Sequence, residues 1–371
     1  MLYPSEMEKV ANLIESEYAE IEMRLIEGVV RSLASGNSNS LINTWRIQKL
    51  KQMGKLDTEL KAYMSSEADK AMRRIETAIE SAVGKSAEHD YAAFKEAIEA
   101  GAVAHSKMAL IGTDSAIVAR YTESILRNCR NGLNLTNSKA VQVANSAFRD
   151  CVNRAWIDVR AGAKGLNEAV IDAAHELGRF GLTVSYVSDT GRHSVYPLDA
   201  SVRRDLSTSL TRSTAEMALA QNEELGNDLV QVSTLADSRP THAPYQGNVY
   251  SVSGRSRKYP PLSSTGYGTA AGLCGINCRH QLFPYFEELE GRHRNKTQDD
   301  EETKAYQDSQ KQRQLERRIK AAKRQLAADE TVGADGDTLR KSRAELAKAK
   351  DTMEAFIRQT GRTRRQWREQ I

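Results

Sequence analysis

"TGYGTAAGLCGINCRH", residues 265–280, holds four glycines, two of the chain's four cysteines and one of its seven histidines within sixteen positions. Glycine at 266, 268, 272 and 275 permits positive φ values and close backbone approach, so the run reads as an irregular but packed loop. It lies inside a longer loop-rich stretch, Leu235 to Pro284, that also contains Pro240, Pro244, Pro260 and Pro261. A loop of that length in a folded domain is usually functional or tied down by something.

The flanking sequence is regular by comparison. "LTVSYVSDTGRHSVYPLD" (182–199) alternates apolar and polar residues on either side of a break at Asp189–Gly191, the pattern of a β-hairpin. Asp199 then opens a helical stretch ending at Gly226, and "DLVQVST" (228–234) is a further short strand. Upstream, Val10, Leu13, Ile14, Ile21, Leu25, Val29 and Leu33 form the apolar stripe of a long amphipathic helix. "SGNSNS" (35–40) stops it, and a second helix begins near Leu41, with Gly54 a point of kink or break. From Ser65 to Arg179 the pattern is helical in several pieces, with Asp114 and then Thr136 or Asn137 as caps. After Gly291 the chain returns to helix, turns at "DETVGADGD" (329–337) and ends in "RTRRQWREQI" (362–371), also read as helix. The expected architecture is mainly α: a helical N-terminal region (1–180), a small α+β domain with short strands and long ordered loops (181–295), and a charged C-terminal helical hairpin (296–371).

Composition narrows the function classes. With 371 residues, 40% apolar and 27% charged, the chain has the balance of a soluble globular protein of more than one folded unit. No apolar run approaches the roughly 20 residues of a membrane span, and the N-terminus lacks the basic-then-apolar layout of a signal peptide, so an intracellular protein is expected. In a reducing compartment the cysteines are thiols or metal ligands rather than disulfides. Cys129 and Cys151, each among apolar helical neighbours, read as small hydrophobes. The net charge is +4, and from Lys296 onward 19 Lys/Arg face 14 Asp/Glu, or +5, which leaves the preceding 295 residues at −1. Arg362, Arg364, Arg365 and Arg368 are the densest basic cluster and suit sequence-independent contact with DNA phosphates, though mixed charge on helices also reads as a solvated face.

Cys274, Cys278 and His280 form C-x3-C-x-H, close to metal-ligand spacing, and His242 in "DSRPTHAPYQG" (237–247) is the best fourth donor. Two thiolates and two imidazoles make a closed, structural zinc set. The other reading has both cysteines as buried thiols and both histidines hydrogen-bonded to loop backbone. Asp237 could orient the His242 ring or cap the turn at "DSRP". A metal-dependent hydrolase or nuclease would need an open metal position and a nearby acid or base, which this set does not offer. Neither "TGYGTAAGLCG" (265–275) nor "VGKSAEHD" (83–90) has the spacing of a phosphate-binding P-loop.

The blocks "RPTHAPYQGNVYS" (239–251) and "TGYGTAAGLCGINCRH" (265–280), in the order and separation found here, resemble the phage minor capsid protein 2 family, relatives of the F-type head proteins of Mu-like phages. Asp237, Arg239, Pro240, His242, Gln246, Gly247 and Tyr250 fall in the first motif, and Tyr267, Gly268, Gly272, Cys274, Asn277, Cys278, Arg279 and His280 in the second. The resemblance implies that His242 and the Cys/His cluster are neighbours in space. It further implies a structural virion protein rather than an enzyme, multimeric in the particle, bound to portal protein and capsid subunits at the portal vertex or capsid interior. Such a protein acts in head morphogenesis, genome packaging or DNA delivery, is present in the host cytoplasm during assembly, and in one variant contacts packaged double-stranded DNA through its tail.

Overall fold

The structure, a computed structural model, describes residues 4–36, 41–110, 115–187, 191, 193–289 and 299–371. Its helices are α1 (Pro4–Ala34), α2 (Ile42–Glu99), α3 (Ala116–Arg160), α4 (Leu166–Phe180), α5 (Leu198–Leu225), α6 (Asp299–Val332) and α7 (Gly336–Thr360). The strands are β1 (Thr183–Val187), β2 (His193–Pro197), β3 (Leu229–Val232), β4 (Val249–Ser251) and β5 (Leu282–Pro284). The chain is thus mainly helical with a small α+β part, as the periodicity indicates. The expected turn at 35–40, the Asp114 cap and the hairpin break at Asp189–Gly191 lie wholly or partly outside the described residues.

Several helices run further than their sequence punctuation suggests. α2 continues through Gly54 for 58 residues. α3 continues through Thr136 and Asn137, because the Asn137 side chain accepts from the Tyr18 hydroxyl (2.7 Å) instead of capping a new helix. Its start is capped by Ser115, whose Oγ accepts from the Val118 amide (3.3 Å). Asp199 lies within the first turn of α5 and serves an ion pair described below. The last ten residues hold one short 3-10 turn, Gln366–Glu369, in place of a helix.

Two small sheets form. β1 and β2 pair antiparallel, with Thr183 opposite Pro197 and Val187 opposite His193. The second sheet has the order β4-β3-β5, antiparallel throughout, with Val230 opposite both Tyr250 and Pro284.

The chain groups into two compact units. The first combines Met1–Leu13, Met72–Leu133 and Arg203–Gln310. Its core sets Ala215 and Ala218 of α5 against Val230, Val232, Tyr250 and Leu282 of the three-stranded sheet and Leu262, Leu273, Cys274 and Cys278 of the long loop. A second apolar cluster surrounds the edge-to-face pair Phe94–Phe286, whose ring centroids are 6.2 Å apart.

The second unit combines Ile14–Ala71, Asn134–Val202 and Lys311–Ile371. Here α6 and α7 form a helical hairpin over Leu315, Ile319, Ala349 and Met353, and Asp335 caps α7 by accepting from the Thr338 amide (2.8 Å). Buried charges are paired: Lys320 reaches Asp199 (2.6 Å) and Glu15 (3.2 Å), and Arg324 faces Glu22 (3.8 Å). Glu22 also accepts from the Leu182 amide (2.8 Å), and burial pushes its carboxyl up to about 7 against the pull of Arg324. Lys49 is buried and donates to the Ser32 carbonyl (2.8 Å) and to that of Ser35, satisfying carbonyls at the C-terminal end of α1.

Gly178 lies directly against the α6 backbone: a Cβ there would stand 2.7 Å from Gln325 Cα and 2.8 Å from the Arg324 carbonyl oxygen. Gly→Ala inside a helix normally stabilises by up to about 1 kcal/mol. Gly178→Ala should instead destabilise by about 1–3 kcal/mol, read as a lower urea midpoint.

His175 Nδ1 bonds the buried Asp329 carboxylate (3.0 and 3.1 Å), and that hydrogen bond raises its pKa above the ordinary histidine value despite partial burial. The ring therefore stabilises the fold fully below that ordinary value, and the contribution fades as pH climbs through the raised one. Urea midpoints measured from about pH 5.5 to 8.5 should fall across this window, and His175→Gln should make the fall shallower while leaving the share that Glu22, whose carboxyl is also raised in the fold, contributes with the same sign.

Candidate functional site

Between β4 and β5 the chain folds almost entirely against itself. A Cβ at Gly272 would stand 1.9 Å from the Gly266 carbonyl oxygen, and one at Gly275 would stand 2.2 Å from the Thr269 oxygen. No side chain larger than hydrogen fits either position. Internal bonds close the loop: Thr269 N–H donates to the Gly266 oxygen (3.0 Å) and Ile276 N–H to the Ala270 oxygen (2.9 Å). Neighbouring elements hold its far end. Thr211 of α5 donates to the Cys278 carbonyl (2.9 Å), Thr208 accepts from the Asn277 amide (2.9 Å), and Arg239 donates to the Ile276 carbonyl (2.8 Å). Cys274 and Asn277, at φ 58° and 56°, are the non-glycine residues with left-handed backbone among the described residues.

This course brings His242, Cys278 and His280 together, with one potential ligand atom of each within 4.8 Å of the others and all three side chains buried. Cys278 Sγ lies 3.6 Å from His242 Nδ1 and 3.5 Å from His280 Nδ1. Each ring is held through its other nitrogen. His242 Nε2 faces the Ala271 carbonyl (2.8 Å), and His280 Nε2 faces Gln246 Oε1 (3.1 Å) and Ser238 Oγ (3.3 Å). Gln246 is itself oriented, because its Oε1 accepts from the Leu235 amide (2.5 Å). Burial lowers the pKa of both imidazoles, that of His280 to about 3 with help from the nearby His242 and Arg279 charges, so both rings are neutral at pH 7. Burial pushes the Cys278 thiol upward.

Cys274 is not part of this group. Its thiol is buried in the core of the first unit and lies 3.8 Å from the His280 carbonyl oxygen. The Asp237 carboxylate binds Arg279 (2.7 Å) and Ser309 (2.8 Å). Gly247 joins the sheet by exchanging bonds with Val232 and Gln231, Tyr250 packs beneath β3, and Tyr267 borders the same core. Pro240 is exposed and Gly268 takes positive φ. The tail arginines are engaged within their own unit. Arg364 pairs with Glu369 (2.8 Å) and Glu354 (3.2 Å), Arg368 is buried 3.7 Å from Glu316, and Arg362 donates to Gln312 (2.8 Å). Arg365 also has a partner. Cys129 and Cys151 are buried and free. Sequence reading missed Thr208, Thr211 and Ser238, whose only trace is a Thr pair at i and i+3 on a helix and a Ser beside a motif aspartate.

A profile of the family described as phage minor capsid protein 2 matches residues 2–358. The chain belongs to that family. Among curated relatives, a structural protein of Lactococcus phage LL-H is 26% identical over 320 residues, 83% of each chain. A structural protein of Lactococcus phage mv4 is 37% identical over 76 residues, 20% of this chain and 62% of that one. No solved structure matches. In this member of the minor capsid protein 2 family, the motif residues above mostly build and brace the loop.

Gly272→Ala tests the backbone contact on which the loop rests. Relieving a contact of 1.9 Å requires the loop to open, so a loss of roughly 3 kcal/mol or more, or failure to accumulate as soluble protein, is expected from denaturation and expression assays.

Proposed function

We propose that this minor capsid protein resides in the phage head at the portal vertex or capsid interior. It docks there on portal protein or a neighbouring capsid subunit and acts as a non-enzymatic component in head assembly, genome packaging or DNA delivery. The observation that carries the reading is a set of large apolar side chains exposed on the second unit beside a groove of mixed lining. A groove of about 690 Å³ is lined by Ile157, Phe180 and Leu182 together with Asp150, Arg154 and Glu176. Phe180 is 60% exposed and Ile157 56%, and the adjoining hairpin shows Val187 (60%) and Val195 (61%) to solvent. Among the described residues β1 and β2 pair only with each other, so each keeps an outer edge able to accept a further strand. Large side chains left in water beside open strand edges are what a subunit completed by its neighbours presents. In a capsid protein family, those neighbours are other head proteins. No helix among the described residues is long and apolar enough to cross a membrane.

Ile157→Asp together with Phe180→Asp should leave stability within about 1 kcal/mol, since both sites are exposed. The pair should lower co-sedimentation with portal and capsid proteins by about tenfold or more, equivalent to about 1.4 kcal/mol. Unchanged association, or absence of the wild-type protein from purified particles, would refute the proposal.

A further inference from the structure

We infer that His242 Nδ1, Cys278 Sγ and His280 Nδ1 bind one zinc-class divalent cation, which fastens the turn around His242 to the loop at 265–280. The inference is independent of where the protein sits in the head. It begins with a backbone amide. The Leu235 N–H can donate only to the oxygen of the Gln246 side chain, which fixes that amide's orientation. The same oxygen faces His280 Nε2, so Nε2 carries the ring proton and Nδ1 presents a lone pair. At His242, Nε2 donates to the Ala271 carbonyl, and Nδ1 again presents a lone pair. Both lone pairs point at the Cys278 sulfur, 3.6 and 3.5 Å away.

The group is thus short of hydrogen. Two imidazole acceptors face one thiol, and the single S–H serves only one of them. A buried acceptor left without a partner is unfavourable. A divalent cation resolves the deficit by accepting a pair from each Nδ1 and from sulfur. The thiol proton passes to solvent as the metal–sulfur bond forms, so a 2+ ion and a neutral thiol give a complex of charge 1+ and one released proton. Two imidazoles and a thiolate are borderline-soft donors that select zinc or cobalt over magnesium or calcium. The hydrogen bonds on both distal nitrogens are the outer partners that metal-binding histidines use to fix ring and tautomer. Cys274 lies outside this set, so three protein donors leave one tetrahedral corner to a solvent molecule.

The test uses the full chain, purified without a polyhistidine tag and under reductant. Metal analysis should find about one zinc per chain, and cobalt(II) added to metal-stripped protein should give a thiolate-to-cobalt absorption that saturates at about one equivalent. Cys278→Ser and His242→Ala should each reduce bound metal about tenfold, whereas Cys274→Ser should keep it. Chelation should expose the 239–280 region to proteolysis, and zinc should restore its protection. Because Cys278→Ser could fail to fold, the cobalt titration of the wild type stands on its own: no thiolate band overturns the site. Loss of metal from Cys274→Ser as complete as from Cys278→Ser would overturn the three-donor set.

Discussion

Backbone against backbone at Gly272 and Gly275 is the contact from which the long loop takes its shape. With these two positions closed to any side chain, the peptide between them doubles back tightly enough to force Cys274 and then Asn277 into left-handed conformations. A non-glycine residue held there is disfavoured by about 1 kcal/mol or more, so surrounding bonds must over-determine the geometry. Thr208 and Thr211, fixed on α5, do so by gripping the amide of Asn277 and the carbonyl of Cys278. The outcome is a reversal that turns Cys278 and His280 inward, where β3 and its neighbours have left an apolar bed. Gln246 and Ala271 then hold the two rings through their Nε2 atoms.

The second unit is organised by a different constraint. α6 carries Lys320 and Arg324 into the interior, and each meets carboxylates supplied by other segments: Glu15 and Glu22 from α1, and Asp199 from the first turn of α5. Burial works against Lys320 staying charged, but Asp199 and Glu15 outweigh it and raise its pKa, while Lys320 holds the Asp199 carboxyl low against the same burial. Apolar ridges alone tolerate small slips between helices. A buried ammonium between two carboxylates does not, since a slip leaves uncompensated charge out of water. The groove beside Phe180 and the hairpin are carried on this fixed frame.

Much of this was legible in the chain, and the parts that were not share a cause. The α1 stripe reads directly from residues three, four and seven apart, and Val10, Ile14, Ile21, Leu25, Val29 and Leu33 are all buried. The β1–β2 hairpin reads from its alternation. The glycine-dense loop reads as packed, and its joining of His242 to Cys278 and His280 follows from the paired motifs. The helix start expected at 136–137 did not read correctly, because a polar residue that looks like a cap is absorbed when a distant group such as Tyr18 uses it. The internal pairing of Arg364 and Arg368 is invisible to composition in the same way, since Glu369 and Glu316 engage them through the fold. Cys274 shows the limit of spacing arguments: one left-handed residue is enough to aim a side chain away from its neighbours in sequence.

The first unit draws on Met1–Leu13, on Met72–Leu133 and on Arg203–Gln310, and the second interleaves with it as far as the C-terminal segment Lys311–Ile371. Neither can be completed while the chain is still short on the ribosome. Long helices such as α2 can form locally as they emerge, but the partners of their apolar faces arrive hundreds of residues later. Such interleaving delays closure and prolongs exposure of sticky surface during synthesis. A virus making this protein in a crowded host therefore has a kinetic window to manage, in which nascent helices meet either their own distant segments or another molecule first.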